Sequence, residues 1–430
     1  MTAPVQTDVL VQPRVTAASA GAEASAIAGT DGLVLRVHRD PAAVAALWRQ
    51  LDSEGDGTVF QTYGWCAAWM RHVGVLAGVQ PVIVVGHKPC GEPLFLLPLA
   101  IGRTHGMRRL GWLAGDLCDY NGPLLAKSFS HTVAVTRFPA LWRAICRSIA
   151  AEADLRFDVV MLDKMPETVG EQANPFMALS VLPNPSGAYL THLGAEWESF
   201  YRDRRSSSTR RRDRTKLKRL EAMGAVVLTT PAEDTGIAAA LDTLFAQKHQ
   251  SFAHMGVADI FARPGYQAFF RDIATDPATR GMAHVSHLDV GATLAAANFG
   301  LMWRGRYYHI LASYDGGPAS RFGPGAAHLR GLMQYAIERG CTVFDFTIGD
   351  EPYKREWADT ELRLYDYSAA GTLRGQGVVM AGTAFRRLKR YIKQTPALWA
   401  AYTKLRALAG GLKQHGADAE PAAPDDGDNS

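Results

Sequence analysis

Ser313-Tyr314-Asp315-Gly316-Gly317-Pro318-Ala319-Ser320-Arg321-Phe322-Gly323-Pro324-Gly325-Ala326-Ala327 is the stretch whose reading decides the fold. An apolar strand ends at Ser313, a glycine-containing loop follows, and the loop opens directly into a helix over about Ala326 to Arg339. Leu329, Leu332, Met333, Ala336 and Ile337 recur at helical spacing, so this helix can pack on a sheet and hold the loop still. Gly340 closes it as a C-terminal cap. The first turn of a helix leaves backbone N–H groups without partners and carries the positive end of the helix dipole. Such a terminus receives anions, and glycine lets a bulky diphosphate come close to the main chain. Arg321, Gly323, Gly325, Ala326 and Ala327 are therefore the candidate anion-binding residues.

Outward from the loop, three strands precede it: Ala283 to Leu288, Thr293 to Trp303 and Arg306 to Ser313. Asp289-Val290-Gly291 and Arg304-Gly305 join them with hairpin chemistry. Val343 to Thr347 follows the helix as another strand. No Gly-Lys-Ser/Thr follows the loop, so it is not a nucleoside-triphosphate loop. No glycine stands three residues beyond Gly325, and three antiparallel strands come first, which excludes a dinucleotide-binding fingerprint. The first half runs in outline through a similar order: strand Leu33 to Arg39, helices from Asp40-Pro41 and near Gln61, a meander through Leu94 to Ile101 and Leu110 to Leu113, a helix over Phe138 to Ala153, and a strand over Asp158 to Leu162. The halves share no identity-level repeat. The expected fold is α/β, an α+β mixed sheet, in two tandem domains: 31–180 and 181–395, with a disordered N-terminal segment 1–30, a terminal helix 396–415 and a disordered acidic tail 416–430.

Three stretches carry a resemblance. They are Phe60-Gln61-Thr62-Tyr63-Gly64-Trp65 with Trp69; Asp119-Tyr120 after Leu97-Pro98-Leu99; and Ser313-Tyr314-Asp315, Gly323-Pro324-Gly325, Phe344-Asp345-Phe346-Thr347-Ile348-Gly349-Asp350-Glu351 and Tyr353-Lys354. Over residues 33–395 the chain resembles the CelD/BcsL family of acetyltransferases linked to cellulose and other exopolysaccharides. That family is similar to the Fem-type aminoacyltransferases in having two GNAT-like halves. One departure is Gly323, where the family usually has Ser or another small residue before Pro-Gly. The resemblance implies an acyltransferase of the GNAT type, with acetyl-CoA or another acyl-CoA as co-substrate, no metal, and a sugar or amino-sugar acceptor. Two other readings are a non-catalytic accessory protein of a polysaccharide complex and a Fem-type transferase that uses aminoacyl-tRNA.

Acyl transfer needs donors for the developing oxyanion and a base for the acceptor's proton. Asp345, on the strand face opposite Phe344 and Phe346, is either a buried anchor or part of the site. Lys354 is placed in the site by the resemblance, where its charge would stabilise an anion. His249 serves as a base or caps a packing face. Asp119 and Tyr120 would line the acceptor pocket from the first half, with Tyr314 and Asp315 contributing from the second.

Composition excludes several classes. Hydrophobic residues make up 47 % and charged residues 20 %, with a net charge of +4, so the chain is a globular protein and not a polycation. No apolar run is long enough to span a bilayer and no secretory leader is visible, so a cytoplasmic protein is expected. The thirteen histidines and five cysteines fall in no metal-binding spacing. Charge is concentrated in Arg202 to Arg219, a single basic helix by expectation, with ten Arg or Lys against Asp203 and Asp213. No aromatics are interleaved for base stacking, so nucleic acid is disfavoured. A solvated face, steering of an anionic ligand, and peripheral contact with an acidic membrane or a polysaccharide synthase are the remaining readings. A second basic amphipathic stretch, Phe385 to Lys393, adds to the last.

Overall fold

A computed structural model describes residues 32–382 apart from His105. The expected terminal segments 1–30, 396–415 and 416–430, and the basic stretch from Phe385, lie outside the described residues. Two mixed sheets form the molecule, and both have the same plan. In the second, Val226–Thr229, Ala283–Val290, Thr293–Trp303 and Arg306–Tyr314 make an antiparallel meander. The helix Pro324–Glu338 then crosses over, and Val343–Ile348 returns parallel to Arg306–Tyr314. In the first, the meander is Val34–His38, Gln80–His87, Pro93–Thr104 and Met107–Trp112. Its crossover ends in the helix Phe138–Ala151, and Val159–Pro166 returns parallel to Met107–Trp112. The order-level repeat seen in the sequence is thus a repeat of architecture.

Local chemistry explains the meander of the second sheet. Arg304 and Gly305 both have positive φ, +50° and +71°, as the tight turn between two right-twisted strands requires. The crossover helix buries Leu329, Leu332, Met333 and Ala336 against Tyr307, Phe344 and Phe346 of the sheet. Trp65 packs edge-on to Phe269 with ring centroids 4.7 Å apart, one of the contacts that fuse the halves into a shared core.

Two features differ from expectation. Leu364–Ala370, grouped with the second half by sequence position, pairs antiparallel with Val159–Pro166 in the first sheet, where Leu182–Pro183 flanks it as the edge. Ala188–His192 pairs antiparallel with Val343–Ile348 in the second sheet. The long basic segment is two helices, Trp197–Arg204 and Ser207–Glu221. Ser206 breaks it by acting as an N-cap, its hydroxyl accepting from the Thr209 N–H.

Candidate functional site

The parallel strands Arg306–Tyr314 and Val343–Ile348 are in register only at Arg306–Val343, Tyr307–Phe344 and Tyr308–Asp345, then diverge. Both are bulged at the point of divergence. Phe299 faces Leu311 while Gly300 faces His309, which leaves Ile310 unmatched on one strand. Tyr189 faces Thr347 while Leu190 faces Asp345, which leaves Phe346 unmatched on the other. A bulge bends its strand and leaves the extra residue out of the ladder, so the two bulges hold the wedge open. Thr347 has φ +59°, a strained conformation for a β-branched residue that persists only where the surroundings impose it.

A cavity of about 470 Å³ occupies the wedge. The start of the crossover helix forms its mouth. Gly323 caps that helix at φ +69° and Pro324 takes the first helical position. The Gly323 N–H donates to Ser320 and the Ala327 N–H to the Gly323 carbonyl. Pro324 has no N–H, so among the described residues the unpaired donors of the first turn are those of Gly325 and Ala326. Of the residues expected to bind an anion, Gly323 shapes the turn, Gly325 and Ala326 keep free donors among the described residues, and Ala327 is spent within the helix. Arg321 is exposed, stacks on Phe322 at 4.8 Å and does not line the cavity. A cation beside the loop is one the sequence did not single out by number: the Lys216 ammonium lies 3.8 Å from where a Gly323 Cβ would stand.

Inside, Lys248, His309, Tyr353 and Trp357 line the wall. Lys248 has no hydrogen bond or ion pair among the described residues. Burial lowers its pKa; Glu351 opposes that shift and nearby Lys354 adds to it. Burial holds His309 at about 3 and His328 at about 3, so both are neutral. His249, the residue expected to act as a base, is not here. One residue further along the helix Asp234–His254, it points outward, bonds Asp259 at 3.0 Å and keeps 68 % of its side chain exposed. A step of one residue turns a helix by about 100°, which exchanges the cavity wall for solvent.

Asp345 is fully buried. Its carboxylate accepts from the Tyr120 hydroxyl at 2.7 Å, the Thr347 N–H at 2.8 Å and the Arg306 guanidinium at 2.9 Å. Burial pushes its carboxyl upward, against Arg306 and Tyr120. Asp345 and Tyr120 thus form a joint between the halves. The Lys354 ammonium donates to the Ile348 carbonyl at 2.6 Å and lies 3.1 Å from Glu351, fixing the turn after the strand. Asp315 also serves a turn, accepting from the Gly317 N–H. Tyr314 is 58 % exposed at the cavity rim, its ring 3.3 Å from where a Gly325 Cβ would be.

Asp119 lies between the two halves, next to the bulge. Burial raises its carboxyl, while Lys164, the Thr347 hydroxyl and Lys354 pull it back. Lys164 belongs to a second cavity, of about 570 Å³, where the parallel strands of the first sheet diverge in turn. Trp69, Trp112, Arg103, Arg109 and Arg263 line it. Lys164 itself has φ +56° and donates to the carbonyls of Gly115 and Cys118. Among the described residues no group of three His, Cys, Asp or Glu could hold a metal, and no helix is long and apolar enough to cross a membrane.

Residues 207–355 match the family model described as acetyltransferase (GNAT) domain. No curated protein matches the sequence. Among solved structures, FemX is similar with a TM-score of 0.54 at 12 % identity, over 80 % of this chain and 99 % of that one. A conserved protein of unknown function from Bacteroides thetaiotaomicron VPI-5482 is similar with a TM-score of 0.50 at 11 % identity, over 78 % and 99 %. At such identities these two share the fold.

Proposed function

We propose that this chain, an acyltransferase whose GNAT domain spans residues 207–355, moves an acetyl or similar acyl group from acyl-CoA to a saccharide acceptor. The observation that carries the reading is the wedge: two unpaired N–H donors at a helix start, and an unpaired ammonium deeper inside. Together they suit a ligand that is anionic at the mouth and carries a polarised carbonyl within. Gly325 and Ala326 would hold the diphosphate, with Lys216 adding charge from the neighbouring helix. Lys248 would face negative charge that develops during transfer.

The first-half cavity suits the acceptor. Trp69 and Trp112, both buried, back its wall, and Arg103, Arg109 and Arg263 offer donors to hydroxyls or an anionic substituent. Asp119 stands between the two cavities with a carboxyl raised by burial, which suits a group that takes the acceptor's proton. Asp345, Tyr120 and Lys354 position these parts. Tyr353, whose phenol burial pushes up, remains a proton donor at neutral pH. On this reading the chain is a member of the CelD/BcsL type.

Calorimetry with acetyl-CoA and CoA, followed by a screen for acyl transfer to glucosamine, glucose oligomers and nucleotide sugars, tests the proposal. Binding of both CoA compounds is expected, with turnover on at least one saccharide that Asp119→Asn suppresses about a hundredfold or more. Absence of CoA binding would end the reading.

A further inference from the structure

The helix Ser207–Glu221 has two faces with different tasks. Its inner face carries Asp213, Leu217 and Leu220. Asp213 is consumed by the Tyr201 hydroxyl at 2.7 Å and by Arg330 at 3.7 Å. Its outer face carries Arg211, Arg212, Arg214, Lys216, Lys218 and Arg219, all exposed and none ion-paired among the described residues. Lys216 and Arg219 lie by the phosphate loop, through Gly323 and Phe322. Arg211, Arg214 and Lys218 form a separate stripe at i, i+3 and i+7, away from that loop, and the site described above gives them no task.

Two exposed apolar side chains follow the basic helix in the chain. Met223, in the turn that ends the helix, is 43 % exposed, and Leu228, on the edge strand Val226–Thr229, is 38 % exposed. Leu228 covers Gly331 of the crossover helix, its Cδ2 2.9 Å from where a Cβ would be. The basic helix packs against the same crossover helix, so both lie on one side of the sheet. A field of unpaired cations beside exposed aliphatic side chains is what an interfacial surface presents to anionic lipid: charge draws it to the headgroups and the apolar groups settle among them. A nucleic-acid surface would instead offer aromatic rings among the cations; Phe322 stands beside Arg219 near the loop, but Arg211, Arg214 and Lys218 contact no ring among the described residues.

The geometry points to this face as a docking surface for an anionic bilayer, with Arg211, Arg214 and Lys218 supplying the charge and Met223 and Leu228 the insertion. The inference goes beyond acyl transfer and stands on the surface alone.

Co-sedimentation of the full chain with vesicles of phosphatidylcholine alone, and of phosphatidylcholine mixed with phosphatidylglycerol, tests it. Binding is expected only to the anionic vesicles and should weaken with salt. The triple variant Arg211→Glu, Arg214→Glu, Lys218→Glu should bind them roughly a hundredfold or more weakly, at about one kcal/mol per basic residue at the surface, and should bind acetyl-CoA as the wild type does. Met223→Ser with Leu228→Ser should weaken vesicle binding in high salt more than in low salt. No binding to anionic vesicles overturns the proposal, as does equal binding by the triple variant. So does loss of tRNA binding in the triple variant with vesicle binding intact, which would assign the face to nucleic acid.

Discussion

Replacing Gly325 by Asp separates ligand binding from stability. Gly325 occupies the second position of the crossover helix, beside an N-terminus with two unpaired donors. A carboxylate there is favourable to the helix by about 0.3–1 kcal/mol, and Asp is a better helix residue than Gly. The nearest obstacle to the new Cβ is the Tyr314 ring at 3.3 Å. That side chain is mostly exposed and can turn aside. For a diphosphate the change is adverse twice over. Charge-assisted bonds from the two N–H groups are worth about 1.5–3 kcal/mol each. The new charge repels a phosphate about 4 Å away by about 1 kcal/mol in water, and by more inside the cavity. Losing one such bond and adding the repulsion comes to about 3 kcal/mol, roughly a hundredfold in affinity. Calorimetry with CoA and a thermal melt on the same sample read both effects. The expected result is a dissociation constant raised about a hundredfold or more, with the melting temperature held or raised. An affinity within threefold of wild type in a folded variant would refute the placement of the diphosphate.

Tyr120→Phe removes one of three donors to a fully buried carboxylate, and should cost about 1.5–3 kcal/mol in urea denaturation; a change under 0.5 kcal/mol would show that Asp345 does not need the first half. Lys248→Met removes an ammonium with no partner, so the melting temperature should hold or rise while turnover falls at least tenfold; a loss of stability would mean that a partner exists. His309 and His328, at about 3, and His284, at about 4, bind protons less readily folded than unfolded. Their contribution is therefore intact above pH 6.5 and is lost as pH falls toward their folded values. At pH 5 the loss is about 2 kcal/mol for each histidine, and a melting temperature that is flat between pH 7 and pH 5 would contradict it.

The second meander was legible because its signals are local. Arg304-Gly305 forms the expected tight turn; the turn expected at Asp289-Val290-Gly291 falls on Gly291-Ala292, with Asp289 and Val290 still paired in the strand; and Gly323-Pro324-Gly325 marks a helix start by itself. Asp345 could be placed on a strand face, but its task depends on Tyr120, which lies far away in the chain and meets it only through the fold. His249 shows the limit of choosing a residue by type: one step along the helix Asp234–His254 decides which side chain faces the cavity, and the cavity took Lys248 instead. The division of the basic segment did have a signal, Ser206 as a capping residue, which the run of arginines obscured. Leu364–Ala370 had none, because nothing in a strand's own sequence says which of two sheets it will join.

The crossing of Leu364–Ala370 into the first sheet bears on how the protein can be taken apart. Residues 207–355 contain the whole sequence signature of the transferase domain, yet lack Ala188–His192, the strand that flanks Val343–Ile348. Excised, the fragment would expose a raw sheet edge beside the bulge that holds the wedge open. The first half would be equally incomplete without Leu364–Ala370. The first sheet takes a strand from beyond the second, so the first repeat is not a contiguous module of the chain.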